Sequence, residues 1–455
     1  MELVERILNA GNLTQASREV IRNKGAAGID RMSVKELKDY LDNNRENLTE
    51  QIYKSEYIPQ PIRGKTIPKG NGKTRLLGIP TVVDRMLQQA VSRIMMPQYE
   101  YQFSNYSFGF RPERNTHQAV GISLSYINAG YQNIVEIDLK GFFDEIDHVL
   151  LLQILYRKRA ERKENTRWVF LANEPACSGG KKATMTLLRR WLRVPIEQDG
   201  RLVKRRKGVP QGSPISPLLS NIILHELDVF MEKKGLKFVR YADDFSIYCK
   251  TKSEAKRVGN MVFLYLRDQL KLPINREKSG IRCPINFQIL GFGLVPTYRK
   301  GDKGKYQLIV TKKKWKAFKS KLKEISRKTS PMSFEQRLRK LNEVARGWIN
   351  YFKYANINQK LVEIDGWLRN RLRYCIWHDW KKPERKRKNL IRLGVKHGQA
   401  YAWSRTRLGG WRIAQSPILN TTITVQRLKR KGYLSLLDLY LKTTPNQKHL
   451  LFPLV

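Results

Sequence analysis

The spacing of apolar and polar residues divides the chain into three regions. Residues 1–55 interleave charged and apolar positions as helices do, with a break at RNKGAAGIDRM (22–32), whose glycines interrupt a continuous helix. From Tyr57 to about Phe292, short apolar strand patterns alternate with helical ones, which indicates an α/β or α+β core. After Lys312 the pattern is helical and strongly basic.

Two of the strand patterns carry aspartates where the strand ends. NIVEIDLKGFFDEIDH (133–148) predicts a strand that ends at Asp138, followed by Gly141 and the start of a helix. FVRYADDFSIYC (238–249) predicts two strands joined through Asp243 and Asp244. Aspartate is common in turns, so neither pattern alone indicates a site. Three carboxylates that share a site would suit nucleotidyl transfer by two Mg²⁺ ions about 3.5–4 Å apart.

The basic region contains two predicted amphipathic helices. In residues 311–328, nine basic residues stand against one Glu, which favours a nucleic-acid-binding face over a merely solvated one. The apolar face of this helix consists of Trp315, Phe318, Leu322 and Ile325, and the basic face of Lys312, Lys316, Lys319 and Lys323. SFEQ (333–336) predicts a capping box at the start of the second helix, whose aromatic residues we interpret as core.

The net charge of the chain indicates which kind of partner it binds. The 455 residues are 41% hydrophobic, enough for a sizeable core and several domains, yet 87 Lys+Arg against 40 Asp+Glu give a formal charge of +47. This excess favours nucleic acid as the partner. A membrane surface is the alternative, but the sequence shows no lipidation signal, signal-peptide pattern or long apolar stretch. The four cysteines have no ligand spacing, which argues against a zinc site.

A series of motifs resembles, in the same order, those of reverse transcriptases, and specifically the group II intron reverse transcriptase/maturase family. The motifs are RNKGAAGIDRM (22–32), IPKGNGKTRLLGIPTVVDRMLQQAV (67–91), SFGFRPERNTHQAV (107–120), DLKGFF (138–143), GVPQGSPISPLLSNIILHELD (208–228), YADD (241–244), NREKSG (275–280), ILGF (289–292) and ARGWINYFKYA (345–355). The resemblance implies an α+β right-hand polymerase, with fingers and an antiparallel palm sheet, followed by an α-helical thumb/maturase domain.

The resemblance also implies roles for single residues. Asp138, Asp243 and Asp244 would be the catalytic, metal-binding triad for two Mg²⁺ ions, with Mn²⁺ as a substitute. Phe143 would be the steric gate against the 2′-hydroxyl of ribonucleotides, the alternative being an ordinary core phenylalanine. The other dNTP-binding residues would be Lys69, Arg75, Gln211 and Lys278, with Arg63 as a helper. Nucleic-acid contacts would come from Lys24, the four lysines of the basic helix face, and Arg385, Lys386, Arg387 and Lys388, a cluster that also fits a nuclear-localisation signal.

The predicted function is RNA-directed DNA synthesis by an enzyme that binds group II intron RNA, assists its splicing and copies it into DNA for retrohoming. Its partners would be the intron RNA, an RNA template, a DNA primer or target DNA, and dNTP, with no membrane; the oligomeric state stays open. We expect a bacterial cytoplasmic protein, associated with the nucleoid when it acts on DNA. Two alternatives stay open: a domesticated enzyme in DNA repair or phage defence, and a maturase that only binds RNA for splicing.

We predict four parts: an N-terminal extension (1–55), fingers and palm (56–305), a thumb/maturase (X) domain (306–380) and a basic nucleic-acid-binding tail (381–455). Two features depart from the family pattern. Residues 157–191 are longer than expected, and NEPACSGGKKATM (173–185) predicts an exposed loop that either contacts intron RNA or is a neutral insertion. The chain ends at LLFPLV without the paired cysteines and histidines of an endonuclease, so homing would need another primer, such as a nascent strand at a replication fork.

Overall fold

The computed structural model describes residues 2–70, 72–156, 179–298 and 304–444. Two compact units are present: unit 1 comprises Met1–Ala119 with Tyr131–Arg282, and unit 2 comprises Val120–Gly130 with Cys283–Val455. Unit 1 mixes sheets and helices, and unit 2 is mainly helical, which confirms the predicted α+β class. The division into four parts stays a prediction.

Unit 1 begins with three helices and a β-hairpin. The predicted break at 22–32 separates the second helix from the third, and Lys24 in this break adopts a left-handed backbone conformation with φ of 49°. The elements in order are α1 (Leu3–Leu8), α2 (Ala10–Arg22), α3 (Leu37–Tyr53), β1 (Ile62–Gly70), β2 (Lys73–Ile79), α4 (Val82–Glu100) and α5 (Thr116–Asn128), whose residues from Val120 onward belong to unit 2.

The rest of unit 1 supplies two four-stranded sheets and the helices that cover them. The elements are β3 (Asn133–Ile137), α6 (Phe142–Glu145), α7 (His148–Tyr156), α8 (Gly179–Arg193), β4 (Ile196–Gln198), β5 (Arg201–Val203), α9 (Ser216–Lys233), β6 (Lys237–Tyr241), β7 (Asp244–Cys249), α10 (Lys252–Asp268) and β8 (Gly280–Arg282). The strand orders are β2-β1-β4-β5 and β6-β7-β3-β8, and every pairing in the second sheet, which we call the central sheet, is antiparallel.

One prediction about the long segment is wrong in part. Residues 157–178 lie outside the described part of the chain, but Gly179–Arg193 form helix α8 rather than an exposed loop. Ala183 and Met185 are 1% and 3% exposed in the core of unit 1. Because two turns of this helix bury apolar side chains, packing overrides the weak helix propensity of its initial glycines.

The central sheet is held by apolar side chains on its buried face. Val135 of β3 stands opposite Ile247 of β7, and Ile247 in turn stands opposite Phe238 of β6. These three side chains are at most 4% exposed. Helix α10 packs against β3 and β7, and α9 contacts β6. The packed sheet therefore holds the residues at its strand ends in fixed positions.

Unit 2 consists of a small antiparallel sheet and a series of helices. Its elements are β9 (Gln288–Ile289), β10 (Phe292–Pro296), β11 (Tyr306–Val310), α11 (Lys312–Ile325), α12 (Phe334–Phe352), α13 (Asn358–Asp379), α14 (Pro383–Arg392), α15 (His397–Ser404), α16 (Gly410–Gln415), α17 (Pro417–Thr422), α18 (Val425–Arg430) and α19 (Leu436–Thr443). The predicted capping box is present, with reciprocal hydrogen bonds between Ser333 and Gln336. Across all described residues, no helix is both long enough and apolar enough to cross a membrane.

The aromatic residues of α11 and α12 form a packed core, as predicted. The rings of Phe318 and Trp348 stack with centroids 4.3 Å apart, and Trp348 also contacts Phe352 at 4.7 Å. The basic segment that follows is folded through residue 444: buried Asp365 of α13 accepts hydrogen bonds from the Tyr433 and Ser435 hydroxyls and from the backbone at the start of α19.

Candidate active site

The three predicted catalytic aspartates lie at one end of the central sheet. Asp138 directly follows β3, and Ala242 and Asp243 form the turn between β6 and β7, whose first residue is Asp244. The antiparallel register pairs Ile137 with Phe245, so its next step places Asp138 opposite Asp244. The two strand patterns found in the sequence thus deliver their carboxylates to the same edge.

The pKa of Asp244 is strongly raised because this carboxyl is partly desolvated and also stands among like charges. Partial loss of hydration, followed by the charges of Asp243, Asp138 and Glu136, raises the pKa of Asp244 to about 6, and Lys278 opposes this rise. The Nζ atom of Lys278 lies 3.2 and 3.4 Å from the two carboxylate oxygens of Asp138. The site is therefore a concentration of negative charge next to a lysine.

The backbone of Asp138 is held by the NREKSG segment. The Asp138 N–H donates to the Ser279 hydroxyl at 3.0 Å, and the Asn275 N–H donates to the Asp138 carbonyl at 2.8 Å. Lys278 belongs to the same segment, so one loop fixes the first aspartate of the triad and supplies the cation beside it.

A buried ionic network holds the turn that carries Asp243. The Arg240 guanidinium, fully buried, donates to both carboxylate oxygens of Asp228 at 2.7 and 2.5 Å. It also donates to the Asn221 side-chain oxygen at 3.1 Å and to the Ala242 carbonyl at 3.0 Å. Asn221 and Asp228 of helix α9 are thereby connected, through one arginine, to the turn itself.

The same turn requires a glycine from the SFGF motif. Ala242 has a left-handed backbone with φ of 58°, and a Cβ at Gly109 would lie 2.2 Å from the Ala242 nitrogen. The Gly109 carbonyl accepts a hydrogen bond from the Asn221 amide at 2.9 Å. A side chain at position 109 would displace the turn or the segment beside it.

Phe143 lies six residues after the end of β3, in the short helix α6. Its half-buried ring contacts Phe142 and Phe110 edge-on, with centroids 5.3 and 6.4 Å away. The Phe143 carbonyl accepts a hydrogen bond from the Val209 N–H at 2.7 Å, so the segment that contains Gln211 runs directly alongside α6.

Gln211 contacts α6 through its side chain. Its Nε2 lies 3.3 and 3.5 Å from the two carboxylate oxygens of Asp144, while its Oε1 is buried and has no hydrogen-bond partner among the described residues. The following Gly212 has φ of 116°, and a Cβ there would lie 2.7 Å from the Gly78 carbonyl oxygen. The backbone at Gly212 therefore passes close to the end of strand β2, where a side chain would not fit.

Three of the predicted dNTP-binding residues, Arg63, Lys69 and Arg75, belong to the β1–β2 hairpin. Arg75 is exposed, stands opposite Ile67, and is near enough to Asp144 to act on the pKa of that carboxyl. Arg63 instead approaches the Ala27 carbonyl at 3.5 Å. The side chain of Lys69 lies outside the described part of the chain.

The donor set suits a hard divalent cation, although it is not preformed. Among the described residues, no three His, Cys, Asp or Glu side chains converge closely enough to hold a metal ion as they stand. Uncompensated carboxylates repel one another, and this repulsion adds to the effect of burial in raising the pKa of Asp244. Oxygen-only ligands with a high local negative charge are what Mg²⁺ prefers.

Sequence reasoning missed three carboxylates near this site. Glu136 lies two residues before Asp138 on the same face of β3 and pairs with Arg282 at 3.4 Å; the period of two along the strand could have indicated it. Asp228 lies seven residues after Asn221 in α9, a helical spacing that places both on one face. Asp144 follows Phe143 directly, and no pattern in the sequence distinguishes it.

The predicted nucleic-acid contacts form two groups in unit 2 besides Lys24, which is exposed in unit 1. Lys312, Lys316, Lys319 and Lys323 are all exposed on one face of α11, and Lys319 lies 5.1 Å from the centre of the Trp367 ring. In α14, Arg385 and Lys388 are exposed, whereas Lys386 lies 4.5 Å above the Trp377 ring and Arg387 pairs with Glu384 at 3.1 Å. The second group is therefore partly engaged in internal contacts.

Two sequence families match the chain. The family described as reverse transcriptase (RNA-dependent DNA polymerase) matches residues 67–294, and the maturase-specific domain of group II introns matches residues 315–394. The first match covers half of the chain and contains the aspartate triad, Phe143, Gln211 and Lys278. The fold and the site thus define a reverse transcriptase, the class of RNA-directed DNA polymerases.

Individual proteins agree with this class. Protein YkfC of Escherichia coli is 30% identical over 309 residues, an alignment that covers 59% of this chain and 76% of YkfC. The group II intron-encoded protein LtrA of Lactococcus lactis is 34% identical over 279 residues, 59% of this chain but only 42% of LtrA. A partial Cas6-RT-Cas1–Cas2 complex aligns with 24% identity and a TM-score of 0.36, over 59% of this chain and 43% of that chain, a similarity too weak to add to the assignment.

The chain belongs to the group II intron reverse transcriptase/maturase family. This confirms the resemblance, the enzyme class and the association with splicing. The family also carries a divalent-metal requirement, nucleic-acid substrates and intron RNA as a partner. The identity and number of the ions, the dNTP contacts and retrohoming are treated as proposals below.

Proposed function

We propose that this chain copies group II intron RNA into DNA by two-metal nucleotidyl transfer, binds that RNA to assist its splicing, and thereby supports retrohoming. The observation that carries the proposal is the meeting of Asp138, Asp243 and Asp244 at one end of the central sheet. The proposed boundaries of the extension, fingers and palm, thumb and basic region are those of the four predicted parts.

In this proposal Asp138, Asp243 and Asp244 hold two Mg²⁺ ions, with Mn²⁺ as a substitute. When bound, such ions stabilise the charge on the attacking 3′-oxygen and on the leaving pyrophosphate. The protein residues contribute placement. The hydrogen bonds to the Asp138 backbone and the Arg240 bond to the Ala242 carbonyl fix the strand ends, and fixed geometry is what this kind of catalysis needs.

The nucleotide would lie between α6 and the hairpin. The ring of Phe143 would exclude a 2′-hydroxyl, Gln211 would contact the nucleotide, and Arg75, Lys69 and Arg63 would bind the triphosphate through charge-assisted hydrogen bonds. Lys278, which pairs with Asp138 at 3.2 Å, would lie near the phosphates and supply a proton to pyrophosphate.

Intron RNA would bind mainly to the basic helices. The four exposed lysines on one face of α11 project at helical spacing, an arrangement that tracks a phosphate backbone. The domesticated enzyme for repair or phage defence shares the same chemistry and differs only in the RNA that it meets. Intron RNA domains flanking the reading frame would favour the intron role.

The decisive test is Asp243→Asn. We expect it to abolish primer extension on an RNA template with Mg²⁺, while the affinity for intron RNA changes less than about threefold, because phosphate contacts supply most of the binding. A matched control is Asp268→Asn, which changes an exposed aspartate of α10 paired with Arg267 and should leave both readouts unchanged.

The two readouts separate the alternatives. If the wild-type protein binds and splices intron RNA but extends no primer, it acts as a splicing-only maturase and the polymerase proposal fails. If Asp243→Asn loses RNA affinity together with extension, the basic surface does not carry the binding and that part of the proposal fails.

A further inference from the structure

Asp144 is a charged residue next to the proposed gate to which neither the family motifs nor the proposed chemistry gives a role. It lies in α6, directly after Phe143, and is accessible to solvent. Its side chain accepts a hydrogen bond from the Gln211 amide, with Nε2 3.3 Å from Oδ2 and 3.5 Å from Oδ1. An amide nitrogen that lies between both oxygens of a carboxylate is a donor in a charge-assisted hydrogen bond.

This contact determines which way the Gln211 amide points. A glutamine amide has a donor and an acceptor end that are nearly equal in size, so only its hydrogen bonds select between the two orientations. A carboxylate can only accept, and it therefore selects the orientation with Nε2 toward Asp144. The Gln211 Oε1 atom is then turned away, buried, and without a partner among the described residues.

The backbone around the pair is rigid. The Gly208 N–H donates to the Ile146 carbonyl and the Val209 N–H to the Phe143 carbonyl, both at 2.7 Å. Gly208 has φ of 86°, and a Cβ there would lie 2.7 Å from the Asp144 carbonyl oxygen. The backbone of the segment that carries Gln211 is thus fixed against α6. What the contact with Asp144 adds is the orientation of the Gln211 side chain.

Two arginines share the surroundings of this carboxylate. Burial raises the pKa of Asp144, and the positive charges of Arg205 and Arg75, together with the Gln211 amide, oppose that rise. Arg205 itself donates to the Gly208 carbonyl at 2.5 Å. Asp144 thus contacts Gln211 and also feels the charge of Arg75, one of the residues proposed to bind the triphosphate.

We propose that Asp144 is a positioning residue for the incoming nucleotide: its contact with Nε2 fixes the orientation of the Gln211 amide, and thereby the place of the side chain proposed to contact the dNTP. This inference rests on the proposed polymerase function. Asp144 itself does not touch the nucleotide, so its loss should weaken nucleotide binding through Gln211 and leave the chemical step at the aspartate triad nearly intact.

The test is steady-state primer extension on an RNA template, with KM for dNTP and kcat measured separately. Asp144→Ala should raise KM roughly tenfold, the loss expected for one hydrogen bond to a charged group, with kcat within about threefold of wild type. Asp144→Asn keeps an acceptor oxygen and should restore KM to within about threefold. Melting temperatures establish that each variant is folded.

A double-mutant cycle gives the sharper readout. If Asp144 acts only through Gln211, then Asp144→Ala combined with Gln211→Ala should have the KM of Gln211→Ala alone, within about twofold. Independent, multiplying effects would overturn the inference, as would Asp144→Asn being as impaired as Asp144→Ala. Glu145→Ala is the matched control, because Glu145 lies in the same helix and pairs with Lys207 at 2.5 Å instead.

Failure of the inference is distinguishable from failure of the proposed function. A wild-type protein that incorporates no dNTP on any primed RNA template contradicts the polymerase proposal before the variants are compared. An active wild-type protein with an unchanged KM in Asp144→Ala contradicts only the positioning role.

Discussion

Removing the carboxylate of Asp228 should destabilise the protein by leaving Arg240 charged and unpaired in the core. Both side chains of this ion pair are 0% exposed. Loss of one partner from a buried pair costs about 3–5 kcal/mol, because the remaining ion keeps its desolvation penalty without its counter-charge. For a unit of this size we expect Asp228→Ala to melt about 6–20 °C below wild type, at about 2–4 °C per kcal/mol.

The assay is thermal melting of the full chain, followed by circular dichroism. Asp268→Ala, which removes an exposed partner of Arg267 in the same unit, should leave the melting temperature unchanged. A fall of less than about 3 °C in Asp228→Ala would refute the reasoning, because it would mean that water or another acceptor readily satisfies Arg240.

The double variant Arg240→Met/Asp228→Leu separates stability from positioning. Replacing both ions by apolar side chains removes the unpaired charge, so this variant should be more stable than Asp228→Ala. It still lacks the Arg240 bond to the Ala242 carbonyl at the turn. We therefore expect recovered melting with primer extension still impaired; recovery of both would show that the network serves stability alone.

Phe143→Ala should admit ribonucleotides because it removes the ring proposed to exclude the 2′-hydroxyl. The ratio of dNTP to rNTP incorporation measures this effect. An unchanged ratio would show that Phe143 is not the gate. Millimolar Mg²⁺ should raise the melting temperature of the wild type but not of Asp243→Asn, since a ligand stabilises only the state that binds it. RNA affinity should fall about 10³–10⁵-fold between 50 and 200 mM salt if about 6–10 phosphates are contacted, and replacing Lys316 or Lys323 by Gln should reduce the logarithmic salt slope by roughly 0.7–0.9 each.

The positions of the three aspartates in their own segments could be predicted because that signal is local: one strand pattern ends at Asp138, and Asp243 and Asp244 follow another. Only the family resemblance joined them in one site, since the pairing of β3 with β7 is a long-range contact that neither segment specifies alone. The capping box at Ser333 depends on four consecutive residues and was equally readable. Local patterns of this kind need no knowledge of which distant segments pack together.

The residues that support the site could not be predicted, because their roles depend on contacts between segments that are distant in the sequence. Arg240 occupies a strand position that carries no sign of its burial, and its acceptor Asp228 belongs to a helix that precedes the strand. The loop prediction for the start of helix α8 was wrong for the same reason. Its Gly-Gly start predicts a loop, and only the buried positions of Ala183 and Met185 account for the helix. The orientation of the Gln211 amide likewise depends on an acid in another element.

The site therefore has two supports of different kinds, and they should have different kinetic effects. The triad turn is held by a fully buried network in which Asn221 joins Arg240 to Gly109, so Asn221→Ala should act on the geometry of the chemical step and lower kcat. The nucleotide side is held by an accessible contact between Asp144 and Gln211, whose loss should act on KM. If Asn221→Ala and Asp144→Ala both changed kcat, or both changed KM, the turn and the Gln211 loop would have to move as one body. The separate roles inferred for them would then be wrong.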